Sequence, residues 1–589
     1  MKWDLTKYYK TYEEFKRNLN DANELVQKFK DYKGKLNEEK SFKEYFDLSI
    51  KFMCEYEKLY LYANCAIDVD RNNTEALGDF QKVMNLFQNL YENTSFEDSE
   101  VLSLGEEYVF SLVEKYEELN QYRFSFENLF RKKEHTPSAL EQRIIANFEA
   151  VRDNTREIFS SLATGDVKPH IVKLNNCEEV DITDSNWTVL VGESKDTEER
   201  RKIFEAEFVR FEENKNTFAS IYNSVLKSDI ALAKSKGFKS SIEMYLFENN
   251  IPVSLYKNLI EIAHEAAPIL KEYLALRKDV LKLDEIHTYD RFLDLVSEDE
   301  SKKYTYEEAK NLFFDSIAKY DKEFVEFAHE ALEDGYVDVY PKNGKTSGAY
   351  SNSTVNTHPC ILLNFTEDLD DCFTLAHEAG HSIHTLFSNK YQPPVNQSYK
   401  IFVAEIASTF NEHNLLDYLL TKGTLTKNEK IKLIQNAIDN IVATFIRQTL
   451  FAEYEYIAHT MAENGEAITE DSLSNIMIKL YDLYYGIDIT KEKVKKYVWA
   501  YVHHFFASPY YVYQYATSFS ASLAIYQNVK DGKADAFKNY LELLKSGNSD
   551  YPINLVKKAG VDFTKLDALK AVTKRFKDLL LELRRIINE

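Results

Sequence analysis

Turn residues are too scarce in this chain for it to reverse direction often. It holds 16 glycines and 10 prolines in 589 residues, less than half their usual combined share of roughly 12 %. Sandwiches, barrels and propellers need a turn every few residues. The scarcity therefore excludes them and leaves a mainly α chain. A single hydrophobic core stops growing well below this length, which predicts at least two packed lobes. The 40 tyrosines and 38 phenylalanines are ample material for large cores.

Charge and cysteines narrow the setting. Lys and Arg number 73 against 96 Asp and Glu, a net charge of −23. Nucleic acid and anionic membrane need a basic surface, so neither is expected as a partner. The excess reads as solubility rather than as attraction for cationic ligands. Cys54, Cys65, Cys177, Cys360 and Cys372 are odd in number and scattered, with no Cys-x-x-Cys pair. They read as reduced thiols of a reducing compartment. The first residues lack an apolar signal core, and no run approaches the 18 to 20 apolar residues of a membrane span. A cytoplasmic protein is the expectation.

Periodicity divides the chain. Tyr12, Phe15, Leu19 and Ala22 repeat at helical steps up to a break near Gly34, and a second pattern runs from Leu140 through Ile144, Phe148 and Val151 to Phe159. Between Lys168 and Val191, Ile171-Val172, Val180-Ile182 and Val189-Val191 read as a small β-insert. It marks a boundary between a helical region, 1–195, and a second helical region, 196–589. Thr426 with Glu429 forms a capping-box pattern that opens a helix ending near Asn464. Gly335, Gly344, Gly348, Pro341 and Pro359 crowd one stretch of a chain that otherwise avoids both residues. Such a loop is a candidate carrier of function.

The stretch Thr374-Leu375-Ala376-His377-Glu378-Ala379-Gly380-His381 carries the chemistry. Leu369, Phe373, Ala376, Gly380, Ile383 and Phe387 fall at helical spacing around it. His377 and His381 therefore sit one turn apart on one face, where both imidazoles can reach a single zinc ion. Glu378 projects beside them, able to take a proton from water on the metal. Gly380 permits another backbone or a ligand to come close. Two segments with similar wording, at His264-Glu265 and His329-Glu330, lack the second histidine and read as ordinary helix surface. The third ligand is best sought at Glu405, an acid inside the apolar run Phe402–Ala407. Its rivals are Glu412 and His413, which look more exposed, and His384, which reads better as a packing residue.

Several blocks together resemble oligoendopeptidase F, of the thimet-oligopeptidase-like zinc metallopeptidases. They are Ser347-Gly348-Ala349-Tyr350, Pro359 to Phe365, the His-Glu-Ala-Gly-His segment, and Phe402 to Glu412. Phe445-Ile446-Arg447-Gln448 with Phe451-Ala452-Glu453 follows, then His504-Phe505-Phe506 and Tyr510 to Ala516. The match is strongest over 340–525. The resemblance implies two helical lobes enclosing a deep substrate channel, with a small sheet next to the zinc helix, and 196–589 as the catalytic region. It implies one zinc ion on His377, His381 and Glu405, with Glu378 as general base and proton shuttle.

By the same resemblance, His504, Tyr510 and Tyr513 contact the substrate and stabilise the oxyanion. Phenol and imidazole N–H donors suit that task, and His503 competes with His504 for it. Ser508-Pro509 reads as N-cap and first helical residue, placing Tyr510 and Tyr513 on one side of a helix start. Ala507-Ser508 departs from the bulkier residues of the family. Ile361 to Phe365 reads as a strand, either an edge that pairs with substrate backbone or a buried core strand. The expected activity is cleavage of internal bonds in short peptides. A zinc carboxypeptidase or dipeptidase is the alternative, and would need a cation for the substrate's terminal carboxylate. A non-catalytic peptide-binding helical protein would keep the fold without needing Glu378.

Overall fold

The computed structural model describes residues 2–166, 168–296 and 302–589. Helices make up 72 % and strands 3 %, as the turn scarcity predicts. Two compact units form, and neither is continuous in sequence. The first comprises Met1–Glu134, Glu300–Thr421 and Ile525–Val561. The second comprises His135–Asp299, Lys422–Ala524 and Asp562–Glu589. Among the described residues no helix is long and apolar enough to cross a membrane.

The first unit opens as its spacing dictates. Thr11 caps the helix Tyr12–Lys28 by accepting the Glu14 N–H, and Phe15, Leu19 and Ala22 line its buried face. Gly34 turns the chain at φ +79°, a conformation that costs an L side chain more than glycine. Aromatic contacts knit the following helices together. Phe46 lies 4.7 Å from Phe42 and 5.2 Å, edge-on, from Phe126, inside a cluster that runs from Tyr9 to Phe130.

Short strands form two small sheets. In the second unit β1 (His170–Lys173) pairs antiparallel with β2 (Glu179–Ile182). In the first unit β3 (Val337–Asp338), β4 (Tyr350–Asn352) and β5 (Cys360–Leu362) form a sheet in the order β3-β5-β4. This sheet occupies the Gly- and Pro-rich stretch. Its central strand, β5, runs parallel to β3 and antiparallel to β4. At Ile361 and Leu362 the strand is not an edge, because both of its sides are already paired. The Trp3 indole N–H locks the sheet from the N-terminus, donating to the carbonyls of Ile361 at 2.9 Å and Tyr336 at 3.0 Å.

Two local expectations change in the second unit. Val189–Val191 is not a third strand; it lies in the helix Trp187–Glu193. Asn186 accepts the Thr183 N–H at 2.9 Å and turns the chain, and Trp187 then buries edge-on against Phe208 at 5.4 Å. In the helix Ala139–Ser160, Ile144 and Phe148 are exposed rather than buried. The side chains of Leu140 and Val151 lie outside the described residues. The capping box at Thr426 forms as predicted, and helical backbone runs from Lys427 to Glu463 through a π-turn at Val442–Ile446. A buried ion pair, Arg200 with Asp290 at 2.9 Å, pins the segment Thr288–Phe292. Arg277 reinforces it by donating to the carbonyls of Asp290 at 3.0 Å and Leu293 at 2.5 Å.

Candidate metal centre

Two consecutive helices of the first unit build the site, α1 (Leu369–Tyr391) and α2 (Ile401–Lys422). A reciprocal cap fixes where α1 begins. Asp368 accepts the Asp371 N–H at 2.9 Å, and the Asp371 carboxylate accepts the Asp368 N–H at 3.3 Å. The start sets the phase of every later side chain, and it puts His377 and His381 on one face. Gly380 then sets how close α2 comes. A Cβ at this position would lie 2.6 Å from the Ala407 carbonyl oxygen and 2.6 Å from Ser408 Cα. The helices therefore cross backbone on backbone, and the Asn411 amide ties them further by donating to the Ala376 carbonyl at 3.2 Å.

That crossing delivers Glu405 to the histidines. His377 Nε2 and His381 Nε2 are 3.1 Å apart, and Glu405 Oε2 is 3.3 Å from the first and 3.5 Å from the second. Among the described residues, these three form the group whose donor atoms converge as metal ligands would. Tetrahedral zinc with bonds of 2.0–2.1 Å would set its donors roughly 3.4 Å apart. The spacing and the mixed nitrogen and oxygen donor set fit that ion.

Electrostatics agree with the geometry. Burial opposes a charged His377, but bonds to Glu405 and Glu412 outweigh it and hold the imidazole well above its ordinary value. Burial likewise opposes a charged Glu405, and bonds from His377 and His381 outweigh it and hold the carboxyl well below its usual range. Glu405 and Glu412 thus stabilise positive charge at His377.

Glu412 has a position that the sequence did not reveal. It stands behind His377 rather than among the converging donors, accepting the Nδ1 proton at Oε1. That bond fixes the ring and, with a metal bound, would leave Nε2 as the lone-pair nitrogen. A usable signal existed, since Glu405 and Glu412 are seven residues apart and so share a face of α2. The expectation that Glu412 and His413 are more exposed than Glu405 does not hold. The Glu412 side chain is 19 % exposed against 27 % for Glu405, and His413 is buried beside Tyr526. His384 packs as expected, fully buried and stacked 3.8 Å from Tyr399. Burial, helped by repulsion from His381, lowers it to about 3 and keeps it neutral.

Glu378 sits beside the donors but does not join them. It is 6 % exposed, and its buried Oε2 has no hydrogen-bond partner among the described residues. Burial raises its carboxyl; attraction to His377 and His381 offsets part of that rise. The two look-alike segments are ordinary helix, as expected. His264 bonds Glu453 at 2.8 Å, and the His329 ring lies tilted 3.9 Å from that of Phe314.

His504, Tyr510 and Tyr513 belong to the second unit. His504 stacks 5.6 Å from Tyr511, with Nε2 3.4 Å from the Tyr515 hydroxyl, and burial plus repulsion from His503 lower its pKa. Both His503 and His504 line one cavity of this unit. Tyr510 and Tyr513 are buried rings, 5.8 Å and 5.3 Å from Tyr256. The predicted helix start at Pro509 is displaced, because the helix begins at Tyr513. Tyr510 takes a left-handed φ of +53°, and its N–H donates to the buried Glu455 at 2.9 Å. That captured amide turns the chain where Ser508-Pro509 would have begun a helix, so Tyr510 and Tyr513 do not share one helical turn.

The geometry meets independent likenesses to known proteins. The model of peptidase family M3 matches residues 190–574, and that of Oligopeptidase F matches 100–168. The chain is 34 % identical to the oligopeptidase PepF of Bacillus subtilis, over 99 % of this chain and 87 % of the relative. It is 34 % identical to an oligoendopeptidase F homolog of Borreliella burgdorferi, over 100 % of this chain and 98 % of that one. The crystal structure of oligoendopeptidase-F from Enterococcus faecium superposes with a TM-score of 0.76 at 28 % identity, covering 98 % of this chain and 99 % of the other. Full-length likeness joined to a family model spanning most of the chain establishes that this protein is a peptidase of family M3, of the oligoendopeptidase F kind.

Proposed function

We propose that the protein is a zinc-dependent endopeptidase that cleaves internal bonds of short peptides. The observation that carries this reading is the convergence of His377, His381 and Glu405 beside a buried, unpartnered Glu378 oxygen. His377, His381 and Glu405 would hold the ion and leave a fourth position open. Zinc bound there supplies a Lewis acid that polarises a carbonyl and makes water more acidic.

The protein's own residues move the proton. Glu378 accepts it from the attacking water at Oε2 and returns it to the leaving amine. Burial raises this carboxyl, which suits a group that must keep the proton between the two steps. Glu412 holds the His377 ring so that Nε2 faces inward. His504, Tyr510 and Tyr513 are assigned to contact the substrate and to donate to the developing oxyanion. A neutral His504 retains the N–H that this requires.

The division at residue 195, with 196–589 as the catalytic region, belongs to the same proposal, supported by the two matched stretches at 100–168 and 190–574. Cytoplasmic work is proposed from the five free cysteines.

The test is a ladder of peptides blocked at neither end, one end or both, assayed with and without a chelator. Cleavage of doubly blocked peptides, lost on chelation and restored by zinc, is the expected result. Cleavage confined to free ends would overturn the endopeptidase reading, and indifference to metal removal would overturn the zinc reading.

A further inference from the structure

The second unit encloses a cavity of about 320 Å³ that the proposed chemistry leaves unexplained. Arg291, Arg447 and Lys495 line it together with Trp187, Phe204 and Tyr481. In a chain of net charge −23, three cations on one cavity would be expected to find carboxylates. Among the described residues, none of the three has an ion-pair or hydrogen-bond partner. Arg447 Nε is buried with nothing to donate to. Lys495 lies against aromatic faces, with Nζ 5.0 Å from the Tyr481 ring centre and 5.6 Å from that of Phe204. Glu492, the acid that attracts Lys495, has both oxygens engaged by Thr288, whose N–H donates at 2.8 Å and whose hydroxyl donates to the other.

The arrangement is held in place rather than left loose. Arg291 lies in the segment that the Arg200–Asp290 pair and Arg277 pin, and Arg447 opens the helix α3 (Arg447–Glu463). Burial and repulsion both weigh on Lys495 and Arg291. Burial first, then Arg291, lowers Lys495 to about 7, with Glu492 opposing and Arg447 adding to the fall. Burial and then repulsion from Arg447 lower Arg291 to about 10. Unpaired like charges around an apolar-walled cavity are unfavourable on their own and are satisfied by an anion from outside. Guanidinium forks match carboxylate geometry.

We propose that this cavity is an anion site, and that it takes a carboxylate of the peptide substrate, gripped by Arg291, Arg447 and Lys495. The peptide as occupant rests on the reading of His504, which lines the same cavity, as a substrate contact. The anion site does not rest on it. A terminal carboxylate and an acidic side chain share this chemistry, and the experiment separates them.

Zinc-loaded enzyme is assayed on one peptide in three forms: free acid, C-terminal amide, and free acid with its acidic side chain changed to the amide. Loss of the recognised carboxylate is expected to raise KM roughly ten- to hundredfold, with kcat changed less than about twofold. In Arg291→Met and Lys495→Met, checked for folding by circular dichroism, that difference should vanish. In parallel, Glu378→Gln protein is titrated with the same peptides and with inorganic phosphate, following Trp187 fluorescence with Trp187→Phe as control. This binding arm reads the site whether or not the peptide is cleaved, so failure of the hydrolytic reading is distinguishable from failure of this one. Equal binding of all three peptides, or a preference that survives in both variants, overturns the proposal. Phosphate binding without discrimination among the peptides overturns the peptide as occupant.

Discussion

At the scale of single residues, the account rests on division of labour among three glutamates. Glu405 converges with the histidines, Glu412 holds one of them, and the buried oxygen of Glu378 has no partner among the described residues. Glu378→Gln keeps the shape and removes the base, so kcat should fall by roughly 10²- to 10⁴-fold while zinc content stays that of the parent. Loss of zinc in this variant would reassign Glu378 as a ligand. Glu412→Gln should leave Glu378 able to act but weaken zinc binding by roughly 10- to 100-fold, read by chelator competition. That His377 and His381 share one face, with Glu378 beside them, was legible in the sequence because a helix converts a four-residue spacing into one face. The role of Glu412 was not, because exposure and direction depend on how α1 and α2 cross. The Ser508-Pro509 cap failed for a related reason: a buried carboxylate distant in sequence, Glu455, claims the Tyr510 amide.

At the scale of elements, Gly380 governs the α1–α2 contact. Gly380→Ala puts a methyl 2.6 Å from the Ala407 carbonyl oxygen, and the helices must separate. A loss of stability on the order of 1–3 kcal/mol is expected, with weaker zinc binding, because Glu405 rides on the displaced helix. Thermal unfolding and chelator competition on one preparation check both. An unchanged melting temperature would mean that the crossing is looser than described. The reading of Gly380 as a point of close approach needed no structure, since glycine is a poor choice for a helix interior otherwise. The strand details did need it. Val189–Val191 has β-like composition but follows a turn at Asn186 and a tryptophan with a hydrophobic berth, and β5 is central because β4, ten residues earlier, returns to pair with it. Periodicity identifies neither a berth nor a pairing partner.

At the scale of the whole molecule, helical content and the presence of two packed bodies followed from turn scarcity and length. The way three separate stretches combine in each unit did not, because local spacing says which faces are apolar and not which stretch will cover them. Stability also carries a pH signature at this scale. Glu97, bonded by the Tyr45 hydroxyl at 2.6 Å, is raised from 4.5 to about 7 by burial, against the lowering effect of that bond. The folded chain thus keeps a proton that the unfolded chain releases. Stability should fall as pH rises from about 4.5 through about 7 and level off above. Glu97→Gln should remove that slope, a gain on the order of 1–3 kcal/mol at pH 8, measurable by urea unfolding across the range. A slope unchanged in the variant would assign the pH dependence to other groups.

The most direct measurement of the central claim is zinc content and hydrolysis of one end-blocked peptide, followed on the same sample through chelation and re-addition of zinc. The predicted result is one zinc per chain, activity that disappears with the metal, and recovery in proportion to zinc restored. Full hydrolysis by metal-free protein would contradict the account.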